Sequence, residues 1–143
     1  MDLTENFTLE ELTATRHGEN TPTVEHIENL KLLAIKVLQP LRNAQGKVHV
    51  SSGYRSERVN KIVGGSATSQ HCKGEAADII CTNNRAAFIW IANNLKFDQL
   101  IWEYGNEKAP SWIHISYKRA GNRNQILRKE HGKGYEPFKP PRI

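Results

Sequence analysis

The segment Ser69–Asp78 reads Ser-Gln-His-Cys-Lys-Gly-Glu-Ala-Ala-Asp and runs directly into the apolar residues 79–81. It places His71 and Asp78 seven positions apart, at the mouth of what its apolar continuation predicts to be a short buried strand. One imidazole nitrogen and one carboxylate oxygen suit Zn²⁺, and catalytic zinc sites add a third protein ligand and keep one position open for water. Gly74 allows the backbone to turn tightly between the two. The segment alone leaves two interpretations open, a surface pair or two ligands of one metal.

A third ligand is available in a predicted hairpin further along the chain. Residues 99–104 and 112–117 both alternate, and the seven residues between them include Gly, Asn and Pro, which favours a hairpin. Side chains alternate across a strand, so His114 lies on the face opposite the apolar Ile113 and Ile115. In the register that the loop favours, Glu103 shares the face of His114. Singly, they are typical of a structural histidine and a solvated glutamate; with the first segment, they predict a hydrolytic zinc site with a carboxylate base.

An arginine in a predicted turn is the next candidate. Arg55 lies in the segment Gly53–Arg55, directly after a strand predicted at 48–52. A guanidinium at this position suits bidentate pairing with a substrate carboxylate, or stabilisation of an oxyanion. A surface salt bridge is the alternative.

Capping and periodicity signals predict the remaining elements. They are a helix begun by the capping box Thr8–Glu11, a long helix capped by Thr21 with Pro22 as its first residue, a short helix capped by Ser56 and ended by Gly64, a helix from Asn83 to about Leu95, and strands at 77–81 and 125–128. The long helix stops at Gly46, and Pro40 is expected to kink or end it. Strands with helices segregated between them predict an α+β fold, with a small, mostly antiparallel sheet, helices packed on one side and the zinc site on the open face.

Length and composition predict one domain over residues 1–143, with a basic tail containing Gly and Pro from about 132. The N-terminus lacks the regions of a signal peptide and no apolar run approaches a membrane span, so we expect synthesis in the cytoplasm and no membrane insertion. Two cysteines do not make a disulfide framework, and free thiols are expected. The net charge of +5 favours polyanions such as nucleic acid or an anionic wall or membrane surface. The basic residues are scattered, however, and a solvated face explains them as well.

The motifs of the chain, taken together, resemble those of one enzyme family. Their order is Ser51-x-Gly53-Tyr54-Arg55-Ser56, then Ser69-x-His71-x-x-Gly74-x-Ala76-x-Asp78, then Trp112-x-His114. This order resembles the zinc D-Ala-D-Ala carboxypeptidase and L-alanyl-D-glutamate endopeptidase family, which includes peptidoglycan peptidases and many bacteriophage endolysins. The resemblance implies one Zn²⁺ ion held by His71, Asp78 and His114. It also implies that Arg55 binds substrate and polarises the scissile carbonyl, and that Ser69 helps to hold the peptide.

One position departs from this pattern. Several members carry the catalytic Glu or Asp three residues before the last histidine, where this chain has Ser111. Glu103 is expected to replace it from the adjacent strand, as in a subgroup with a similar strand sequence. Cys72 and Cys81 are alternative ligands, although thiolates are more typical of closed structural sites.

The resulting hypothesis is a monomeric zinc metallopeptidase that hydrolyses an amide bond in the peptide stems of peptidoglycan. The endolysin resemblance implies action on the cell wall, after phage-mediated lysis. The alternative is a non-catalytic zinc-containing module that binds the wall or belongs to a virion. A nucleic-acid-binding domain is a third interpretation, but no recognition motif supports it, and no specific nucleic-acid partner is expected.

Overall fold

The structure is a computed structural model that describes residues 1–142. In chain order, its elements are α1 (Leu9–Thr13), α2 (Val24–Leu33), a π-helical turn (Ala34–Leu38), α3 (Gln39–Gln45), β1 (Val48–Ser52), α4 (Glu57–Ile62), a 3-10 turn (Gln70–Lys73), β2 (Ala76–Cys81), α5 (Asn84–Asn94), β3 (Gln99–Glu103), β4 (Trp112–Ser116), β5 (Gln125–Lys129) and β6 (Glu136–Pro137). Helices α1, α4 and α5 begin where their capping residues predict, because the side chains of Thr8, Ser56 and Asn83 each accept a backbone N–H of the first turn.

The long helix differs from its prediction at both of its special positions. Its N-cap is Thr23, not Thr21, because the Thr23 hydroxyl accepts from His26 N while His26 Nδ1 accepts from Thr23 N, both at 3.2 Å. Pro40 neither ends nor breaks the helix. A π-helical turn directly precedes it, in which Gln39 N donates to Ala34 O, and this wider turn accommodates a proline ring that an α-helix would exclude. The helix ends before Gly46, as predicted, and that residue has φ +87°.

The sheet has the strand order β1-β2-β4-β3-β5-β6. All neighbouring strands are antiparallel except β3 and β5, which run parallel. The predicted hairpin of β3 and β4 is confirmed, and it pairs Ile101 with His114 and Glu103 with Trp112. On its other edge, β4 pairs with β2 and sets His114 opposite Asp78.

The two faces of this sheet have different chemistry. One face is fully buried under the helices and carries the side chains of Ala77, Ile79, Leu100, Trp102, Ile113 and Ile115. Helix α5 packs on its central strands β2, β4 and β3. The opposite face carries Asp78, His114 and Glu103. The predicted α+β fold, with helices on one side and polar candidates on the open face, is therefore confirmed.

The segment after residue 132 packs on the same sheet. Strand β6 pairs with β5, and the ring of Phe138 lies 5.2 Å from Trp102 and 6.0 Å from Phe88, measured between ring centroids. Composition described this segment only as a tail, because nothing local indicates that its one phenylalanine reaches the core. Within residues 1–142, no helix is both long and apolar enough to cross a membrane.

Candidate metal centre

Three elements bring the candidate ligands together. Asp78 and His114 are cross-strand partners on β2 and β4, so the pleat points both side chains to the open face. His71 comes from the 3-10 turn, whose first N–H groups are capped by Ser69: its Oγ accepts from His71 N at 3.2 Å. Gly74 ends the turn with φ +74°, and a Cβ there would lie 2.6 Å from His26 O on α2. Glycine is thus required both for the turn and for the close approach of α2.

The distances from the Asp78 carboxylate to the two histidine nitrogens match the edges of a tetrahedral zinc site. Asp78 Oδ1 lies 3.4 Å from His71 Nε2 and 3.2 Å from His114 Nδ1. One ligand atom from each of the three residues lies within 4.8 Å of the others. Zinc–ligand bonds of about 2.0–2.1 Å give a regular tetrahedron with edges of about 3.3–3.4 Å. The three side chains therefore surround a position that a zinc-sized cation fits.

The hydrogen bond on the far side of the His71 ring also favours a cation. His71 Nδ1 lies 2.7 Å from Gly53 O, and a carbonyl only accepts, so this nitrogen carries the proton. In neutral His71 the lone pair of Nε2 therefore faces the Asp78 carboxylate, and only a proton or a metal ion resolves the contact between two acceptors. Burial alone would raise the pKa of Asp78, but the charges and hydrogen bonds of His71 and His114 hold it below its usual range. Two imidazoles and one carboxylate, with a water position open, are the donor set of catalytic zinc.

Glu103 lies beside this group on the open face. It is 7% exposed, and its cross-strand partner is Trp112, two residues before His114 on β4. Glu103 is thus a diagonal neighbour of His114, and the predicted sharing of a face is confirmed. Burial, with a smaller contribution from the charge of Asp78, raises the pKa of Glu103 to about 7, although His114 and Lys129 oppose the shift. A carboxylate with a pKa near neutrality is suited to accept and return a proton.

Arg55 approaches the same turn from the end of β1. Its backbone N–H donates to His71 O at 3.1 Å, which ties the arginine to the turn that carries His71. Its Nε is buried and, within residues 1–142, has no hydrogen-bond partner. A Cβ on Gly65 would lie 3.2 Å from Arg55 Nη1, so this glycine leaves the guanidinium its space. A buried, unpaired guanidine N–H is costly unless a ligand completes it, so the role of Arg55 in binding substrate stays a prediction that this arrangement favours.

The cysteines lie outside the group. Cys72 and Cys81 are free thiols, and within residues 1–142 the acidic, histidine and cysteine side chains that cluster with metal-ligand spacing are His71, Asp78 and His114. Cys81 packs against the core on the other face of β2. Burial raises the pKa of Cys81 to about 11 and raises that of Cys72 as well, which disfavours the thiolate that binds metals.

The sequence did not predict the side chains that support His114 from behind. Gln70 Oε1 lies 3.3 Å from His114 Nε2, and Gln70 Nε2 donates to Asp98 Oδ2 at 2.7 Å. Asp98 in turn accepts from Arg123. These residues are 25 to 44 positions apart, so no local pattern connects them. Only the long-range pairing of the strands does.

A comparison with protein families places this site in context. A family model described as Peptidase M15 matches residues 5–116, which include His71, Asp78, Glu103 and His114. A search of curated proteins finds no match to the chain.

Proposed function

Because the chain belongs to the Peptidase M15 family of zinc peptidases, we propose that it hydrolyses an amide bond in the peptide stems of peptidoglycan, as a cell-wall-lytic enzyme of the endolysin type. The observation that carries this proposal is the spacing of the three ligand atoms of His71, Asp78 and His114 on the open face of the sheet. They would hold one Zn²⁺ ion. When bound, the ion supplies a Lewis acid that polarises a carbonyl and lowers the pKa of a water molecule to about 7.

Glu103 is the proposed general base and acid. Its carboxylate takes a proton from the attacking water and returns it to the nitrogen of the leaving amine, so one residue serves both halves of the hydrolysis. Burial raises the pKa of this carboxyl to about 7 in the metal-free protein, and a bound cation would lower it and favour the ionised base. Its position on β3, diagonal to His114 on β4, holds it on the same face of the sheet as the proposed ligands.

Arg55 and Ser69 are the proposed substrate contacts. The free donors of Arg55 suit a carboxylate of the stem peptide or the oxyanion that forms on the scissile carbonyl. The Ser69 oxygen already accepts from His71 N, which leaves its hydroxyl proton to donate to a peptide carbonyl. Both residues hydrogen-bond the backbone of His71, so both would meet the peptide next to the proposed metal position.

Digestion of purified peptidoglycan by the zinc-loaded protein tests the proposal. We expect soluble fragments from the wild type, none after chelation of zinc, and a loss of about 10²- to 10⁴-fold in Glu103→Gln, because this substitution removes proton transfer but keeps the side-chain shape. Glu107→Gln is the matched control, since Glu107 is exposed in the loop of the same hairpin. A folded, zinc-loaded protein that cuts no wall preparation contradicts the proposal and favours a non-catalytic wall-binding or virion module.

The same digests identify the bond. Mass spectrometry of the fragments separates release of a terminal D-alanine, which indicates a carboxypeptidase, from cleavage between L-Ala and D-Glu or at a cross-link, which indicates an endopeptidase. Lysis of intact bacteria when the protein is added from outside tests the endolysin role. All groups of the site come from one chain, so we propose that it acts as a monomer and that the chain forms one peptidase domain.

A further inference from the structure

A hydrogen-bonded chain of side chains runs from the protein surface to the back of His114. It consists of Arg123 in the loop before β5, Asp98 just before β3, and Gln70 in the 3-10 turn. We propose that Gln70, oriented by Asp98, is a positioning residue that keeps the proton of His114 on Nε2 and the lone pair of Nδ1 directed at Asp78. This inference deepens the proposed function, and it rests on that function only in assigning His114 to the metal.

Asp98 is the fixed end of this chain. Its side chain is fully buried, and it accepts from Arg123 Nε at 2.9 Å, Arg123 Nη2 at 2.8 Å and Arg123 N at 3.2 Å. Lys118 Nζ lies 3.9 Å away. Burial raises the pKa of Asp98, but the hydrogen bonds from Arg123 and Gln70 outweigh it and lower the pKa to about 2. At neutral pH both oxygens of Asp98 therefore only accept hydrogen bonds.

The orientation of the Gln70 amide follows from Asp98. A carboxylate cannot donate, so the Gln70 atom 2.7 Å from Asp98 Oδ2 is the nitrogen of the amide, and its oxygen points the other way. That oxygen lies 3.3 Å from His114 Nε2. Because the amide oxygen only accepts, Nε2 of His114 carries the proton. Nδ1, which lies 3.2 Å from Asp78 Oδ1, then carries the lone pair that a metal requires.

The chain opposes a competing arrangement. Without a metal, the carboxylate of Asp78 favours a proton on the His114 nitrogen that faces it, and such a proton blocks the metal position. The acceptor that Gln70 presents behind the ring favours the other tautomer. Hydrogen-bond partners of this kind, behind a ligating histidine, typically contribute 10- to 100-fold in metal affinity. We therefore expect substitutions of Gln70 and Asp98 to lower zinc affinity directly, and to lower the rate of hydrolysis through that loss of zinc.

Asp98→Asn gives the most specific test. With its oxygen at the Oδ1 position, the new amide accepts from Arg123 N and Nε. Its nitrogen at the Oδ2 position loses the bond from Arg123 Nη2 and donates to Gln70 Oε1, which turns the Gln70 amide around and presents its NH₂ group to His114. Nε2 then has to accept, and the proton moves to Nδ1. Gln70→Met removes both hydrogen bonds without adding a charge. Gln99→Met is the matched control, because the Gln99 amide donates to Gln125 Oε1 at 2.7 Å and makes no hydrogen bond to His114.

Two measurements read the outcome. Histidine ¹⁵N NMR of the metal-free protein, at a pH well above the ordinary pKa of histidine, reports which nitrogen of His114 is protonated. Competition with a chelator reports zinc affinity. We expect the Nε2–H tautomer in the wild type and in Gln99→Met, the Nδ1–H tautomer in Asp98→Asn, and a 10- to 100-fold loss of zinc affinity in both Asp98→Asn and Gln70→Met.

The proposal is overturned if wild-type His114 carries its proton on Nδ1, or if Asp98→Asn and Gln70→Met bind zinc as tightly as Gln99→Met. The wild-type spectrum needs no variant, so the test survives a failure of Asp98→Asn to fold. Neither measurement requires hydrolysis. A protein that shows the expected tautomer and affinities but cuts no peptidoglycan would contradict the proposed function and leave this inference standing.

Discussion

The part of the chain that the family model matches, residues 5–116, and the part that follows it, residues 117–142, contribute to the site in different ways. The first part holds His71, Asp78, Glu103 and His114. The second contributes cations near acidic groups of the first. Arg123 and Lys118 pair with Asp98, and Lys129 is the cross-strand partner of Glu103, with its Nζ bonded to the Glu130 carbonyl. The first part thus holds the candidate ligands and the proposed base, and the second places cations near Asp98 and Glu103.

The basic residues of the second part were open to two interpretations from sequence, a solvated face or a patch for polyanions. Two of them, Arg123 and Lys118, instead pair with the buried carboxylate of Asp98, whereas Arg119 pairs with Glu28 at the surface. A count of charges shows how many cations a segment has, but not which carboxylate each one meets. Substitutions on either side of residue 116 therefore test whether the two parts contribute to the site in these different ways.

The largest effect is expected in the first part, from His114→Ala. If the chemistry depends on a metal held there, loss of one ligand removes several kcal/mol of transition-state stabilisation, or at least about a thousandfold in rate. The measurement is peptidoglycan hydrolysis together with zinc content. His49→Ala is the control, because His49 is an exposed strand histidine on β1, beside Ile80 of β2. A His114→Ala protein that retains zinc and activity would show that His114 is not a ligand of the catalytic metal, and would contradict the proposed metal centre.

The next effect concerns the buried charge of Glu103. Its pKa is about 7 in the folded metal-free protein against 4.5 as the ordinary value, so the folded state holds the proton more tightly. The stability that this gives is present below pH 4.5 and is lost as pH rises to 7. Gln cannot ionise, so metal-free Glu103→Gln should gain up to about 3 kcal/mol relative to the wild type across this window. Denaturant titrations at several pH values measure the gain; a constant difference between the two proteins would contradict it.

A smaller effect is expected from Phe138→Ala in the second part. Phe138 contacts Trp102 and Phe88 but is only partly buried, so its loss should lower the free energy of unfolding by about 1–3 kcal/mol, less than for a fully buried ring. Tyr135→Ala is the control from the same segment, since Tyr135 is 58% exposed. Chemical denaturation measures both. If the two variants unfold alike, or if Phe138→Ala produces a second transition, the second part does not share the core of the first.

The sequence predicted the site residues better than it predicted the contacts that residues 117–142 make with the sheet and with Asp98. The alternation around His114 and Glu103 and the motif from Ser69 to Asp78 carry their information locally, since a strand fixes which side chains share a face. No local pattern predicts the pairing of β5 with β3 or the contact of Phe138 with Trp102, because both join segments more than 20 residues apart. The same holds for the hydrogen-bonded chain from Arg123 to His114, whose members are also far apart in sequence. The prediction of where α2 starts was wrong for a local reason. Thr21 and Thr23 both fit an N-cap, and only the reciprocal hydrogen bonds with His26 select Thr23.

The smallest effect is expected from Lys129→Met, which tests whether the second part adjusts the base of the first. Lys129 is the cross-strand partner of Glu103, and its charge lowers the pKa of that carboxyl against the larger effect of burial. Removing the cation raises the pKa of Glu103 further, so a smaller fraction of the base is ionised on the acidic side of neutrality. A partly exposed cation that makes no ion pair with Glu103 contributes at most about 1 kcal/mol, so hydrolysis below pH 7 should fall by no more than about fivefold and recover at higher pH. Lys133→Met is the control, because Lys133 pairs with Glu130 rather than with Glu103. A loss of activity that is the same at every pH would mean that Lys129 acts through packing, and the second part would then support the site by its fold alone.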